Sequence, residues 1–271
     1  FDVVVHSSLL SKLHNLEFTG AGWLLLRRWY QGLGSCIKWS GKLSRMIEEE
    51  IGLRQGGGLS AKMYVGLTNN NLDTLRDNQI GYSIGTEFVG CPTCADDTAI
   101  VADNPIQLQT AINICQNFAR REHFDFSTTK TKILIFNNPK EGKNNPIHSW
   151  TLEGKTIEIV DEQEHLGITR RSKSYKDYLA EDKIKKGRPG IYSLMGAGFC
   201  GRNGTNPGVA VRMWNTYVLP QVLFGLEVTS NPDSEVNKLE QFQRDIIKQL
   251  QYLPPNTSNP AAYLLAGILP L

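Results

Sequence analysis

At 271 residues, 40% hydrophobic, 21% charged and 9% aromatic, the chain can bury a substantial core, which excludes a disordered or low-complexity protein. Its net charge of +2 is unevenly spread: residues 169–213 hold ten Lys or Arg against three acids, and the remainder holds 19 basic and 24 acidic residues. No apolar run approaches the roughly 20 residues that span a bilayer, and the N-terminus lacks the pattern of a secretory signal.

Residues 7–16 and 22–33 repeat apolar side chains at helical spacing. SCIKWSGKLSRMIEEEIGL predicts two strands around a Ser40-Gly41 turn, with Glu48, Glu49 and Glu50 sitting oddly in the second. RQGGGLSAKMYVGL predicts a Gly-rich turn running into a helix. YSIG and TEFVGC read as short strands, and TAIVAD as the next one after Asp96-Asp97. Asn104-Pro105 opens a helix to about Arg121, with Leu108, Ile112, Cys115 and Phe118 or Ala119 on one face. KTKILIF follows as a strand, WTLEGKTIEIV as a hairpin through Glu153-Gly154, and HLGI as a short strand in which Leu166 reads as core. Beyond residue 170 the pattern is helical, over 174–199, 207–229, 233–252 and 260–267. The fold class expected is α+β, an antiparallel sheet backed by helices and then an all-helical region. There are no internal repeats.

CPTCADDTAI, residues 91–100, supports two chemistries. Cys91 and Cys94 have the spacing of a redox dithiol or half a zinc site, but no second pair at metal-ligand spacing exists among the five cysteines and five histidines. A dithiol of that kind also belongs at a helix N-terminus, where the dipole lowers the thiol pKa. Asp96 and Asp97, between two short strands, can project from a hairpin tip as hard oxygen ligands for Mg²⁺. A plain surface turn has the same composition.

Cys94-Ala95-Asp96-Asp97 resembles the x-Ala-Asp-Asp signature of reverse transcriptases, and other blocks follow that family's order. Phe1-Asp2 is similar to the end of its first palm motif, and Arg54-Gln55-Gly56 through Ser60 to the second. Thr129-Lys130-Thr131 before ILIF resembles the fourth, and His165-Leu166-Gly167 the primer-grip hairpin. MWNTYVLPQVLFGLEV and LEQFQRDIIKQL resemble the helical region downstream. The whole chain is similar to the polymerases of non-LTR (LINE-type) retrotransposons.

The resemblance implies a right-hand polymerase fragment, with a palm over 1–168 and a helical thumb and downstream region over 169–271. It implies RNA-directed DNA synthesis with two Mg²⁺ ions on an RNA template, a DNA primer and dNTPs, in the nucleus or cytoplasm. Asp96 and Asp97 would ligate the metal and Lys130 would neutralise the leaving pyrophosphate. Phe1, Arg54, Gln55 and Gly56 would meet the dNTP, with Phe1 excluding a 2′-OH. His165, Leu166 and Gly167 would hold the primer end, and Lys183, Lys185 and Lys186 would follow the nucleic-acid backbone.

Several positions depart from the family pattern: Cys94 replaces an aromatic, Ala61 a proline, and Lys62 enters an otherwise apolar helix. In the family a further metal-bridging Asp lies five residues before the aromatic matched by Phe1. The 271 residues alone are therefore expected to be inactive. A decayed nucleic-acid-binding relic, and a thiol–metal or redox protein built on Cys91 and Cys94, remain as alternatives.

Overall fold

A computed structural model of the chain describes residues 1–54, 56–136, 148–172, 179–201, 205–229 and 232–271. The chain divides into two compact units, one built on Phe1–Ile133 and the described residues of Asn138–Val160, the other on Asp161–Leu271 with the described residues of Leu134–Asn137.

In the first unit, α1 (His6–Asn15) and α2 (Gly20–Tyr30) begin and end within three residues of the spacing's prediction. The Trp23 indole pins α2 to α1 by donating to the Leu10 carbonyl at 3.0 Å. The expected hairpin follows as β1 (Gly34–Ser35), β2 (Lys38–Trp39), β3 (Lys42–Leu43) and β4 (Ile47–Glu48), with β1 on β4 and β2 on β3. Next comes α3 (Ser60–Asp77), which buries Met63, Tyr64, Leu67, Asn71 and Leu75 at 3.6-residue spacing. Its first turns join the Val4, Leu9 and Leu53 cluster, and its last joins Cys91, Ala111 and Cys115.

Two hairpins follow, β5 (Ser83–Ile84) with β6 (Glu87–Phe88), and β7 (Thr93–Cys94) with β8 (Asp97–Thr98). The expected strand after the aspartates is regular only at its start. Even so, the Val101 amide donates to Gly90 at 2.8 Å and its carbonyl accepts from Tyr82 at 2.9 Å, tying both hairpins together. The helix α4 (Pro105–Arg121) starts where expected: the Asn104 side chain accepts from the Gln107 amide at 2.9 Å, and Pro105 occupies the first turn, where no N–H is needed. At its far end Glu122 is buried and meets Lys12 of α1 at 2.7 Å. Burial works against its charge, but hydrogen bonds from Lys12, Ser8 and Arg121 hold the carboxyl below its ordinary range.

The remaining strands of this unit are β9 (Lys132–Ile133), β10 (Thr151–Leu152), β11 (Lys155–Thr156) and β12 (Glu158–Ile159). The continuous antiparallel sheet expected from the alternation is absent among the described residues. The strands form separate two-stranded pieces, and β9 with β12 is parallel. Each antiparallel ladder is short, and before β7 Pro92 has no N–H to give.

The second unit opens with β13 (Glu162–His165) and β14 (Ile168–Arg171), an antiparallel hairpin turning at Leu166-Gly167. HLGI is thus a turn and not a strand, and Leu166 at its tip is exposed rather than core. The helices are α5 (Leu179–Gly196), α6 (Pro207–Met213), α7 (Leu219–Leu223), α8 (Asp233–Leu250) and α9 (Asn259–Ala266), with a π-helical stretch, Trp214–Val218, joining α6 to α7. Trp214, Val218, Ile191 and Ile247 are fully buried at its centre. Buried Glu235 accepts from the Ala180 amide at 2.8 Å, so α8 supplies the cap at the start of α5. Among the described residues no helix is long and apolar enough to cross a membrane.

Candidate active site

The aspartate pair is presented by a turn. Cys94 pairs with Asp97 across β7 and β8, which leaves Ala95 and Asp96 as the two central residues. Ala95 takes a left-handed φ of 55°, the conformation that lets a two-residue loop follow the twist of its strands. Both aspartates are exposed, and among the described residues neither carboxylate has a hydrogen-bond donor or a cation beside it.

Asp96 faces an aromatic wall. With Tyr64, Thr68, Asn71 and Phe118 it lines a cavity of about 20 Å³, room for one water molecule. Burial pushes the Tyr64 phenol up, and the Asp96 carboxylate adds to the rise. Phe1 stacks on the Tyr64 ring, with ring centroids 4.5 Å apart and planes 21° from parallel. Its carbonyl accepts the Leu53 amide at 3.0 Å. Phe1, Tyr64 and Asp96 are therefore consecutive neighbours. Sequence reasoning missed Tyr64; the available signal was its place four residues after Ser60, on the same buried face of α3.

The Gly-rich block closes on itself. The Ser60 hydroxyl donates to the Arg54 carbonyl at 2.7 Å. A Cβ on Gly57 would stand 2.6 Å from that hydroxyl oxygen, so the closure requires glycine there. Arg54 and Gly56 are exposed around it, while Gln55 lies outside the described residues. Ala61 and Lys62 both face solvent, so Lys62 leaves the apolar face of α3 intact.

Lys130 is exposed at the end of a turn before β9, where its amide donates to the Ser127 hydroxyl at 3.4 Å. In the second unit Leu166 (φ 51°) and Gly167 (φ 74°) form the tip of the β13–β14 hairpin. The Gly167 carbonyl accepts from Lys186 at 2.9 Å, and Lys186 also meets Glu164 at 3.0 Å. The His165 Nε2 is buried and has no partner among the described residues.

The basic run proves to be of two kinds. Lys183 is only 4% exposed; its ammonium donates to the Phe224 carbonyl and lies 5.8 Å from the centre of the Phe224 ring. Burial lowers its pKa, and neighbouring Lys186 adds to the effect. Its expected contact with a nucleic-acid backbone is thus corrected. Leu179, Lys183, Gly187 and Ile191 share one buried face of α5, and helical spacing sends Lys183 inward with them. Arg171 is likewise committed, with a two-pronged contact to Asp182 at 2.7 and 3.1 Å. Lys185 faces solvent, and among the described residues it has no acid beside it.

The cysteine pair lacks the environment its chemistry needs. Cys91 is buried and Cys94 exposed, and neither is in a disulfide. Burial pushes the Cys91 thiol up to about 11, with Cys115 adding to the rise. A thiol held protonated near neutrality is a poor nucleophile.

A family model described as reverse transcriptase (RNA-dependent DNA polymerase) matches residues 1–175, more than half of the chain. The chain belongs to the reverse transcriptase family. A search of the curated proteins finds no match. Membership points to RNA-directed DNA polymerase activity, with a nucleic-acid template and nucleotide substrates. Reverse transcriptases generally use divalent metal ions. Two adjacent carboxylates are hard oxygen donors suited to such an ion. Among the described residues no group of three or more His, Cys, Asp or Glu is placed to complete a metal site.

Proposed function

We propose that this chain is the palm and thumb of a reverse transcriptase of the non-LTR (LINE-type) retrotransposon class, extending a DNA primer on an RNA template by two-metal nucleotidyl transfer. The observation that carries the reading is the row Phe1–Tyr64–Asp96, which joins the first and third motifs of the resemblance through a side chain of α3. Palm would span 1–168 and thumb with downstream helices 169–271.

In this reading Asp96 and Asp97 hold Mg²⁺, which when bound supplies charge for the attacking and leaving oxygens. Phe1, stacked on Tyr64, rejects a sugar carrying a 2′-OH by its bulk. Arg54 and Gly56 border the dNTP, with Gln55 between them in sequence, and Lys130 neutralises the pyrophosphate. The His165–Gly167 turn holds the primer end. Of the basic run, Lys185 follows the phosphate backbone; Lys186 and Lys183 serve their own fold first.

Two carboxylates are too few to orient two ions for in-line transfer. The 271-residue polypeptide is therefore expected to give no primer extension on an RNA template with Mg²⁺ and dNTPs. Joined to an upstream segment that supplies a further Asp, it should extend a primer, and Asp96→Asn should then abolish both extension and Mn²⁺ binding. Extension that survives Asp96→Asn would overturn the site. The alternative is a nucleic-acid-binding relic without chemistry. That reading stands if the extended chain binds an RNA–DNA hybrid but never elongates it.

A further inference from the structure

The ribbon formed by β1 to β4 combines three features that folding alone does not explain. At ~3.3 Å per residue, the stretch from Gly34 to Ser40 reaches roughly 20 Å from its foot. Most of its apolar side chains are in solvent: Ile37, Leu43 and Met46 are exposed, and Trp39 is 80% exposed. Between Gly34 and Ile47 it carries Lys38, Lys42 and Arg45 and no acid. The acids Glu48, Glu49 and Glu50 all lie at the foot.

Pairing sorts these side chains. Trp39 stands opposite Lys42, and Lys38 opposite Leu43. Cross-strand partners share a face, so one face of the ribbon presents an indole beside an ammonium, and the other an ammonium beside an isobutyl group. Ser40 and Gly41, with φ of 46° and 77°, close the tip tightly and keep that register. The foot is fastened where Phe1 is fastened. The Gly52 amide donates to Val4 at 2.8 Å, the Leu53 amide to Phe1 at 3.0 Å, and the His6 amide to Glu50 at 3.1 Å.

We propose that this ribbon is a nucleic-acid platform, on which Trp39 stacks against an unpaired base of the template strand while Lys38, Lys42 and Arg45 meet its phosphates. Charge decides the class of partner: three cations without an acid suit a polyanion. The indole decides the form. Bases within a duplex already stack on one another, so a protruding aromatic ring finds a free base face only on a single strand. This inference rests on the reverse-transcriptase reading, and adds to it a contact site outside the blocks that carried the resemblance.

The test uses the 271-residue chain and a fluorescein-labelled RNA–DNA hybrid, either blunt or with a single-stranded RNA overhang, read by anisotropy across a salt series. Trp39→Ala should weaken binding of the overhang form about tenfold and leave the blunt form nearly unchanged, while Trp39→Phe keeps overhang binding close to wild type. Lys38→Gln with Lys42→Gln should lower the salt slope by about 1.4, at ~0.7 per phosphate contact on a single strand. Because these side chains are exposed, circular dichroism should show the fold intact. Wild-type binding that none of these variants alters overturns the ribbon assignment alone. Loss of self-association in Trp39→Ala, with binding unchanged, overturns it in favour of a contact between copies. A wild-type chain that binds neither probe overturns the polymerase reading as well.

Discussion

Two hairpin turns carry the residues that matter most, and they are built in opposite ways. The turn at Ala95-Asp96 contains no glycine, places an alanine at φ 55°, and offers carboxylates that nothing among the described residues engages. The turn at Leu166-Gly167 has the usual glycine, and its carbonyl is held by Lys186. The other described hairpins, at Ser40-Gly41, Gly85-Thr86 and Glu153-Gly154, likewise place glycine at a positive φ. The aspartate and Leu166-Gly167 turns both hold a non-glycine residue at a positive φ, Ala95 at 55° and Leu166 at 51°, so what separates them is the uncommitted charge of the first. A turn fastened by its own chain's cation is a place whose position has been fixed in advance.

The largest effect is expected from the cation that most firmly serves the second unit. Lys183→Ala should cost about 3 kcal/mol in urea unfolding, since it removes a buried stem and strands the Phe224 carbonyl. Lys183→Met restores the stem and should recover about half of that loss. If Lys183→Ala were silent in stability but weakened nucleic-acid binding, the inward assignment would fail.

Carboxylates sharpen the same contrast. Glu122→Gln should cost about 2 kcal/mol near neutral pH, because it leaves Lys12 without its buried partner. Asp96→Asn should change stability by less than about 0.5 kcal/mol. The pH dependence has a definite sign. Because the Glu122 carboxyl is held below its usual 4.5, its contribution is fully present above that value and is lost as pH falls through the lowered one. The gap between wild type and Glu122→Gln should therefore close as pH falls through that lowered value. Equal losses from both variants would show that Asp96 is structural.

Modest effects of opposite sign come from the backbone of the turns themselves. Gly167→Ala should destabilise by about 1–2 kcal/mol, since its φ of 74° disfavours a side chain and the new methyl would meet the Phe224 ring at 3.1 Å. Ala95→Gly should do the reverse, stabilising by up to about 1 kcal/mol as the left-handed strain is relieved. Thermal unfolding of the two variants checks both signs together. A loss of stability in Ala95→Gly would mean that the aspartate turn is not strained.

Much of this was legible in the order of residues, because it depends on neighbours in the chain. Asn104-Pro105 starts α4 through a cap three residues long, and Ser40-Gly41 and Glu153-Gly154 turn their hairpins by backbone preference alone. The aspartate pair, and with it the family, could be read in the same way. Folding in three dimensions decided matters that no local rule reaches. Lys183, Lys185 and Lys186 look alike in the sequence, yet Lys183 meets the carbonyl of Phe224, 41 residues further on, Lys186 meets the turn at Gly167, and only Lys185 is left facing solvent with no acid beside it among the described residues. Tyr64 touches the Phe1 ring and lines a cavity with Asp96 only because α3 brings it to both, and no local rule predicts that. Helical and turn periodicity set which residues share a face. Which of those faces is covered, and whether a charge is satisfied inside the molecule, depends on contacts between segments far apart in the chain, and these exist only after folding.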